Sequence, residues 1–330
     1  MPTIDLTGTD LRDPRATGGS GDSPRRLGLT LPELRAAAAL AGDAPLPFDV
    51  ADPVVADGLQ ARLGSSPATT DDQAYRAVLA ALHDPAGSLE RRGLVIEGGL
   101  DPGLAGALGL LATPRIALDL DVRIVDAQAR SWHRSRDGAA AALSTADGIV
   151  FEIAWFATSA WADELARVGA LPDGIVCHPS GVPPLVDLPF ELADAAAEAV
   201  QTGRTDLLPA LAARHTGAVR RDGRPLSDQE VVRLLVALSG EARGRLRALV
   251  ADVAADGAGP AAGTRVDAVG VVSWTLLADG WHALSPHRVD GESHLQVAAV
   301  EPGDLAAAIA PALAPLVGPG LLGPPTERPR

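Results

Sequence analysis

Five side chains near the end of the chain, His282, His287, Asp290, Glu292 and His294, are of the types that bind divalent metals or move protons. Imidazole nitrogens and carboxylate oxygens are zinc donors, and an ion held by them activates water for hydrolysis. Gaps of five and seven between the histidines match no zinc motif, and polar side chains belong on an exposed hairpin in any case. The preferred reading is a solvated turn, and the alternative is a metal-dependent hydrolase using the His282–His294 turn. Cys177 and His178 offer a thiol and a base, but neighbours on an extended chain point to opposite sides. His133 and Asp137 form a third candidate pair, set in a segment that recurs later without the histidine.

Other chemistry is absent by composition. All 28 basic residues are arginine, so neither a phosphate-binding Gly-x-x-x-x-Gly-Lys loop nor a lysine Schiff base can form. Gly-x-Gly-x-x-Gly after a strand and Gly-x-Ser-x-Gly are missing as well. The sequence therefore predicts no catalytic residue, no metal and no cofactor.

The elements that position these side chains come in two similar sets. Ser131-Trp132-His133-Arg134-Ser135-Arg136-Asp137-Gly138 returns as Ser273-Trp274-Thr275-Leu276-Leu277-Ala278-Asp279-Gly280, a shared Ser-Trp-x4-Asp-Gly. A second Asp-Gly follows each copy, at Asp147-Gly148 and Asp290-Gly291. Alternating runs come next, Val150 to Ala154 and His294 to Ala298, and each leads into an alanine-rich helix. Asp-Gly between alternating segments is a strong hairpin signal, because both residues tolerate positive φ. Each unit reads as strand, turn, strand, turn, strand, helix. What recurs is the hairpin scaffold; His133 does not recur, which argues against duplicated catalysis. Trp132 and Trp274 are expected to fill the same core niche in each copy. Trp155, Trp161 and Trp281 have no counterparts and serve either the core or a binding surface.

With 330 residues, a net charge of −14 and one cysteine, the chain reads as a cytoplasmic protein without a disulfide. The start carries no secretory signal, and no apolar run reaches the ~18 residues of a membrane span, so no membrane insertion is expected. Acidity argues against nucleic acid, and Arg25-Arg26, Arg91-Arg92 and Arg220-Arg221 are separate pairs rather than a basic patch.

The fold class expected is α+β: a central antiparallel sheet built from two similar meander-plus-helix halves, pseudo-twofold, with flanking helical bundles. Residues 1–26 read as a flexible tail, 27–172 as the first lobe, 173–189 as a proline-rich linker, 190–317 as the second lobe and 318–330 as a tail. Thr30 caps a helix with Pro32 in its first turn and Glu33 closing a capping box, and Leu34, Ala37 and Ala38 form its buried stripe. Leu46 to Val50 is a candidate edge strand. Thr70 to Leu82 and the segment opening at Asp101-Pro102-Gly103 have helical periodicity, the latter with Leu104, Leu108 and Leu111 on one face. Ala117 to Val125 alternates, with Leu118, Leu120, Val122 and Ile124 inward and Asp119, Asp121 and Arg123 outward. Ser159 is expected to cap a helix carrying Trp161, Leu165 and Val168. Three helices follow near 192–200, 206–213 and 227–239, the last with a Ser227-Glu230 capping box. Strands near 246–253, 266–274, 281–286 and 294–300 and a helix from Asp304 to about Leu316 complete the order.

That order resembles the EspG proteins, ESX secretion-associated chaperones of actinobacteria. The resemblance rests on Leu29-Thr30-Leu31-Pro32-Glu33-Leu34 followed by Pro45-Leu46-Pro47-Phe48, on Arg92-Gly93-Leu94 to Leu100-Asp101-Pro102, and on Trp274-x5-Gly280 with Val300-x3-Asp304-Leu305. It covers roughly residues 27 to 317. It implies a non-catalytic cytosolic chaperone of type VII secretion that binds PE-PPE-like or other small helical export substrates and keeps them soluble. Capture of apolar helix tips by a sheet and its neighbouring helices is the physical mode. On that reading Asp119, Asp121, Arg123, Arg134 and Arg136 form part of the partner-binding surface. The Asp126–Ala129 loop is shorter than the substrate-contacting loop that the resemblance implies.

Overall fold

The computed structural model describes residues 23–48, 84–256 and 263–317. Its centre is a 12-stranded antiparallel sheet, and that sheet begins where a tail was expected. Arg25–Thr30 is strand β1, paired residue for residue with Val150–Trp155. Helix α1, Leu31–Leu40, follows at once because Thr30 and Glu33 close the expected capping box: the Glu33 N–H donates to Thr30 Oγ1, and the Thr30 N–H donates to Glu33 Oε2 at 2.8 Å. Leu34, Ala37 and Ala38 are buried, as their spacing predicts. Leu46 to Phe48 form no strand; Leu46 is packed into the core and the chain turns at Pro47. The 70–82 helix, most of the N-terminal tail and the 318–330 tail lie outside the described residues.

Helix α2 (Pro85–Arg91) and a small hairpin of β2 (Val95–Ile96) and β3 (Gly99–Leu100) lead to α3, Pro102–Ala112. Asp101 caps α3 through its side chain, and Leu104, Leu108 and Leu111 are buried on one face. The first meander is β4 (Ile116–Ile124), β5 (Ala127–Arg136), β6 (Ala139–Thr145) and β7 (Val150–Ala157). The turn after β4 is tighter than expected, only Val125 and Asp126. Helix α4, Trp161–Gly169, comes next, entered through a turn of 3-10 helix over Thr158–Ala160. Ser159 makes no side-chain cap there, contrary to the sequence expectation, because the 3-10 turn takes up the place of the N-cap.

The proline-rich linker also ends in regular structure. Leu185–Pro189 is β8, followed directly by α5, Phe190–Gln201. Prolines suggested a linker, but Pro189 is the strand's last residue, and four apolar and polar residues ahead of it alternate into the sheet. Helices α6 (Leu208–Arg214) and α7 (Asp228–Gly240) bracket the two-residue strands β9 (Arg220–Arg221) and β10 (Arg224–Pro225). The second meander is β11 (Gly244–Asp256), β12 (Gly263–Leu276), β13 (Trp281–Val289) and β14 (Glu292–Val300), closed by α8, Leu305–Val317.

The strand order is β1-β7-β6-β5-β4-β11-β12-β13-β14-β8-β9-β10. Read outward from the β4–β11 pair, the first five strands on each side follow the same plan, with β9 and β10 added beyond β8, and β1 followed by α1 has its counterpart in β8 followed by α5. The expected pseudo-twofold thus lies in the strand order. The octets do not superpose in detail. Trp132 pairs with Asp119, whereas Trp274 pairs with Leu246, so the two tryptophans point to opposite faces of the sheet. They do not share a niche. The two segments are offset by one residue in the sheet: Trp274 pairs with Leu246 and Ala283 and so takes the core-face place that His133, paired with Leu118 and Ala142, holds in the first half.

One face of the central strands packs under α4 and α8. There Leu118, Leu120, Val122, Leu246, Val250 and Trp274 meet Trp161, Leu165, Leu305 and Ile309. On the opposite face, α1–α3 cover β1, β6 and β7, and α5–α7 cover β8 and β14. Trp161 and Trp281 are core residues, and the Trp281 indole donates to the Gly169 carbonyl at 2.8 Å.

Candidate functional site

Register partners in adjacent strands share a face, so pairing alone gives the floor of the face opposite α4 and α8. Asp119, Asp121 and Arg123 on β4 pair with Trp132, Arg130 and Gln128 on β5, and with Leu249, Arg247 and Arg245 on β11. Arg134 and Arg136 continue that face of β5. The two helical cores flanking it contain no residue of β4, β11 or β12. Between those cores lies a trough with a charged floor. All five residues expected at the partner surface stand on this one face.

They are not equally presented. Arg134 is buried; its Nη1 donates to Asp119 Oδ1 at 2.6 Å and to the His133 carbonyl at 3.0 Å, so it acts as a prop under Asp119, whose side chain is 45% exposed. Asp121 accepts from Gln128 Nε2 at 2.8 Å and lies between Arg123 and Arg130 at 3.8 and 3.7 Å. Arg136 is exposed beside the Asp137-Gly138 turn and donates to Thr113 Oγ1. Arg123, Arg130, Arg134, Arg245 and Arg247 stand with Asp119 and Asp121 on this face of β4, β5 and β11, a concentration of basic side chains within an acidic chain. Sequence inspection for adjacent arginines missed it because the patch is assembled from three strands, with one member per alternate residue. Burial lowers the pKa of Arg245, the charge of Arg123 lowers it further, Asp121 opposes the fall, and Arg247 adds to it. On the next strand Val271, 67% exposed, pairs with Leu249 and adds apolar surface.

The histidine cluster is rearranged relative to expectation. His282 is fully buried on the trough side and pairs with Asp279, Nε2 to Oδ1 at 2.9 Å. His287 and His294 are cross-strand partners on the other face. Their common neighbour is Asp187 of β8: His294 Nδ1 is 2.6 Å from Oδ1, and His287 Nε2 is 2.8 Å from Oδ2. Asp290 occupies the turn with φ 50°, and Glu292 lines a cavity of about 620 Å³ with Phe190, Glu191, Arg214 and His215. Neither joins the imidazoles. Asp187 lies 107 residues before His294, so no local motif could have indicated it. Cys177 is exposed with Arg243 Nη2 3.7 Å from its sulfur.

His133, the candidate base of the first octet, is out of reach of substrate. It is fully buried, its Nδ1 accepts from the Trp161 indole, and Asp137 lies in the turn beyond. Among the described residues, no helix is long and apolar enough to cross a membrane.

None of the protein-family models matches the chain, and no curated protein matches it. Among solved structures it is similar to the type VII secretion system chaperone EspG5 of Mycobacterium tuberculosis, determined in complex with a PE25-PPE41 dimer. That likeness has a TM-score of 0.52 at 13% identity, and covers 88% of this chain and 96% of the other. The chain has an EspG-like fold.

Proposed function

We propose that this protein is a cytoplasmic chaperone of a type VII-like secretion pathway, not an enzyme, and that it holds a helical export substrate of the PE-PPE kind. The likeness to EspG5 along nearly the whole of both chains is the observation that carries this reading. The trough supports it. Two helical layers flank a strip of sheet, β4, β11 and β12, to which neither of their cores, among the described residues, contributes a covering side chain, and a helical tip needs such a seat.

The chemistry of the floor suits a helix end. Arginine forks bind carboxylates and the free carbonyls of a helix C-terminus, whose partial charge is negative, while Leu249 and Val271 meet apolar side chains. Asp119, Asp121, Arg123 and Arg136 are the contacting residues, and Arg134 holds Asp119 in place. Crowding of arginines around Arg245 is relieved when a partner supplies negative charge.

The test is co-expression of the full chain with a PE-PPE-like heterodimer, followed by size-exclusion chromatography with light scattering. A 1:1:1 complex is the expected result. Absence of any complex with such pairs from the same genome would overturn the reading.

A further inference from the structure

We propose that Asp187, His287 and His294 bind one divalent transition-metal ion of the zinc class. The three side chains come from three neighbouring strands and share a face. His287 and His294 are direct register partners, and Asp187 sits two residues along β8 from Pro189, the partner of His294. Their ligand atoms all lie within 4.8 Å of one another. A tetrahedral ion with bonds of about 2.0–2.1 Å holds its donors ~3.3 Å apart. Side-chain rotations that open the contacts of 2.6 and 2.8 Å now made to Asp187 by about 0.7 and 0.5 Å, and draw any wider separation within the 4.8 Å limit inward, make room for it.

The donor set selects the ion. Two imidazoles and one carboxylate suit zinc and its neighbours rather than calcium or magnesium, which need a shell of oxygens. Three protein ligands leave a fourth position open for water. Solvent reaches it, because His287 lines a cavity of about 340 Å³ with Phe190, Pro286, Arg288 and Ser293.

The matching place in the first half shows what the second half lacks. On β1 and β7 the same face carries Arg26 and Glu152, joined by Glu164 and Arg167 of α4, so two guanidiniums meet two carboxylates. In the second half Asp187 faces only two imidazoles among the described residues, and an ion supplies the cation that arginine provides on the other side. Bound there, it ties β8 to β14 and β13.

The experiment uses the full chain, purified without a histidine tag and stripped with a chelator. Zinc uptake is measured by equilibrium dialysis with elemental analysis, and cobalt is used in parallel because its visible bands report tetrahedral binding. One equivalent bound at micromolar zinc, with tetrahedral cobalt bands and a raised melting temperature, is the expected result. His287→Ala and Asp187→Asn, checked for folding by circular dichroism, should each bind at least about tenfold more weakly, since even an outer partner of a ligand is worth about 10–100-fold. Two results overturn the proposal. One is no saturable uptake by the unsubstituted chain; the other is uptake that survives both substitutions, including uptake that disappears only in Cys177→Ala.

Discussion

The Trp161 indole Nε1–H donates to His133 Nδ1 at 3.0 Å, with both side chains essentially inaccessible to solvent and their rings stacked 6.4 Å apart. An acceptor at Nδ1 places the imidazole proton on Nε2 and holds the ring neutral. Burial opposes a charged form, and the nearby Arg167 and Arg134 oppose it further, so the His133 pKa falls from 6.5 to about 3. This pair fastens β5 to α4 beneath the sheet.

Protonation in the unfolded chain near pH 6.5, but only near pH 3 in the folded one, makes the folded state lose stability as acid is added. The contribution is complete above pH 6.5 and is lost progressively as pH falls toward about 3, by up to about 5 kcal/mol. His133→Gln retains an acceptor for Trp161 but does not titrate. Denaturant unfolding between pH 7 and 4 should therefore show a distinctly shallower pH dependence for the variant. Superimposable profiles would remove His133 as the cause.

Glu33 acts in a lower window with the opposite chemistry. Burial alone would raise its pKa, but Ser88, the Thr30 N–H and the charge of Arg92 together bring it down to about 2. Its contribution is present above about pH 4.5 and lost as pH falls through about 2. Because Ser88 Oγ donates to it at 2.6 Å and Arg92 bridges it to the Gly28 carbonyl, Glu33 joins α1, α2 and β1. Glu33→Ala should cost about 2–4 kcal/mol in urea unfolding, whereas Glu230→Ala in the exposed box at Ser227 should cost about 1 kcal/mol or less. Equal losses would show that only the cap matters at Glu33.

Where structure was legible in sequence, the signal was local. Both capping boxes follow from four consecutive residues, and the alternation of Leu118, Leu120, Val122 and Ile124 against Asp119, Asp121 and Arg123 gave the two faces of β4. Where the signal was pairing, local reading failed. Arg25 and Arg26 looked like the end of a tail, and the strand they open was not foreseen, because its stability comes from β7; Leu185–Pro189 looked like a linker because its partner is β14. The octet repeat located matching strands but not their faces, since the two octets are offset by one residue in the sheet and a one-residue slip turns every side chain to the other face. The trough arginines and the Asp187 cluster share that origin: each is assembled from three strands, and no contiguous motif encodes it.

Glycine substitutions separate packing from chain entropy. A Cβ on Gly270 of β12 meets the Ala312 Cβ of α8 at 2.5 Å, and a rigid methyl cannot turn away. Gly270→Ala should displace α8 and cost about 1–3 kcal/mol. Gly106, exposed inside α3 with nothing within 4 Å of a Cβ, should give the reverse, a gain of about 0.5–1 kcal/mol on replacement by alanine. Thermal unfolding of the two variants decides it; a neutral Gly270→Ala means that α8 seats loosely on β12.

Charge reversal in the trough should affect binding and stability differently at different residues. Arg247 contributes to the basic floor from β11 and is half-buried there, so Arg247→Glu places a carboxylate beside Asp121 and turns the local field against an acidic or carbonyl-bearing partner. Affinity for a bound substrate pair should fall by at least about tenfold, with a steeper loss at low salt, where screening is weakest. Asp119→Arg is a different perturbation. It removes the acceptor of the buried Arg134 and sets two guanidiniums against each other, so it should lower stability by about 2–4 kcal/mol besides weakening the complex. Arg134→Leu in the same background should recover part of that stability, because the uncompensated buried charge is then gone. If Arg247→Glu left the complex intact at every salt concentration, the trough floor would not be the substrate seat, whatever the partner.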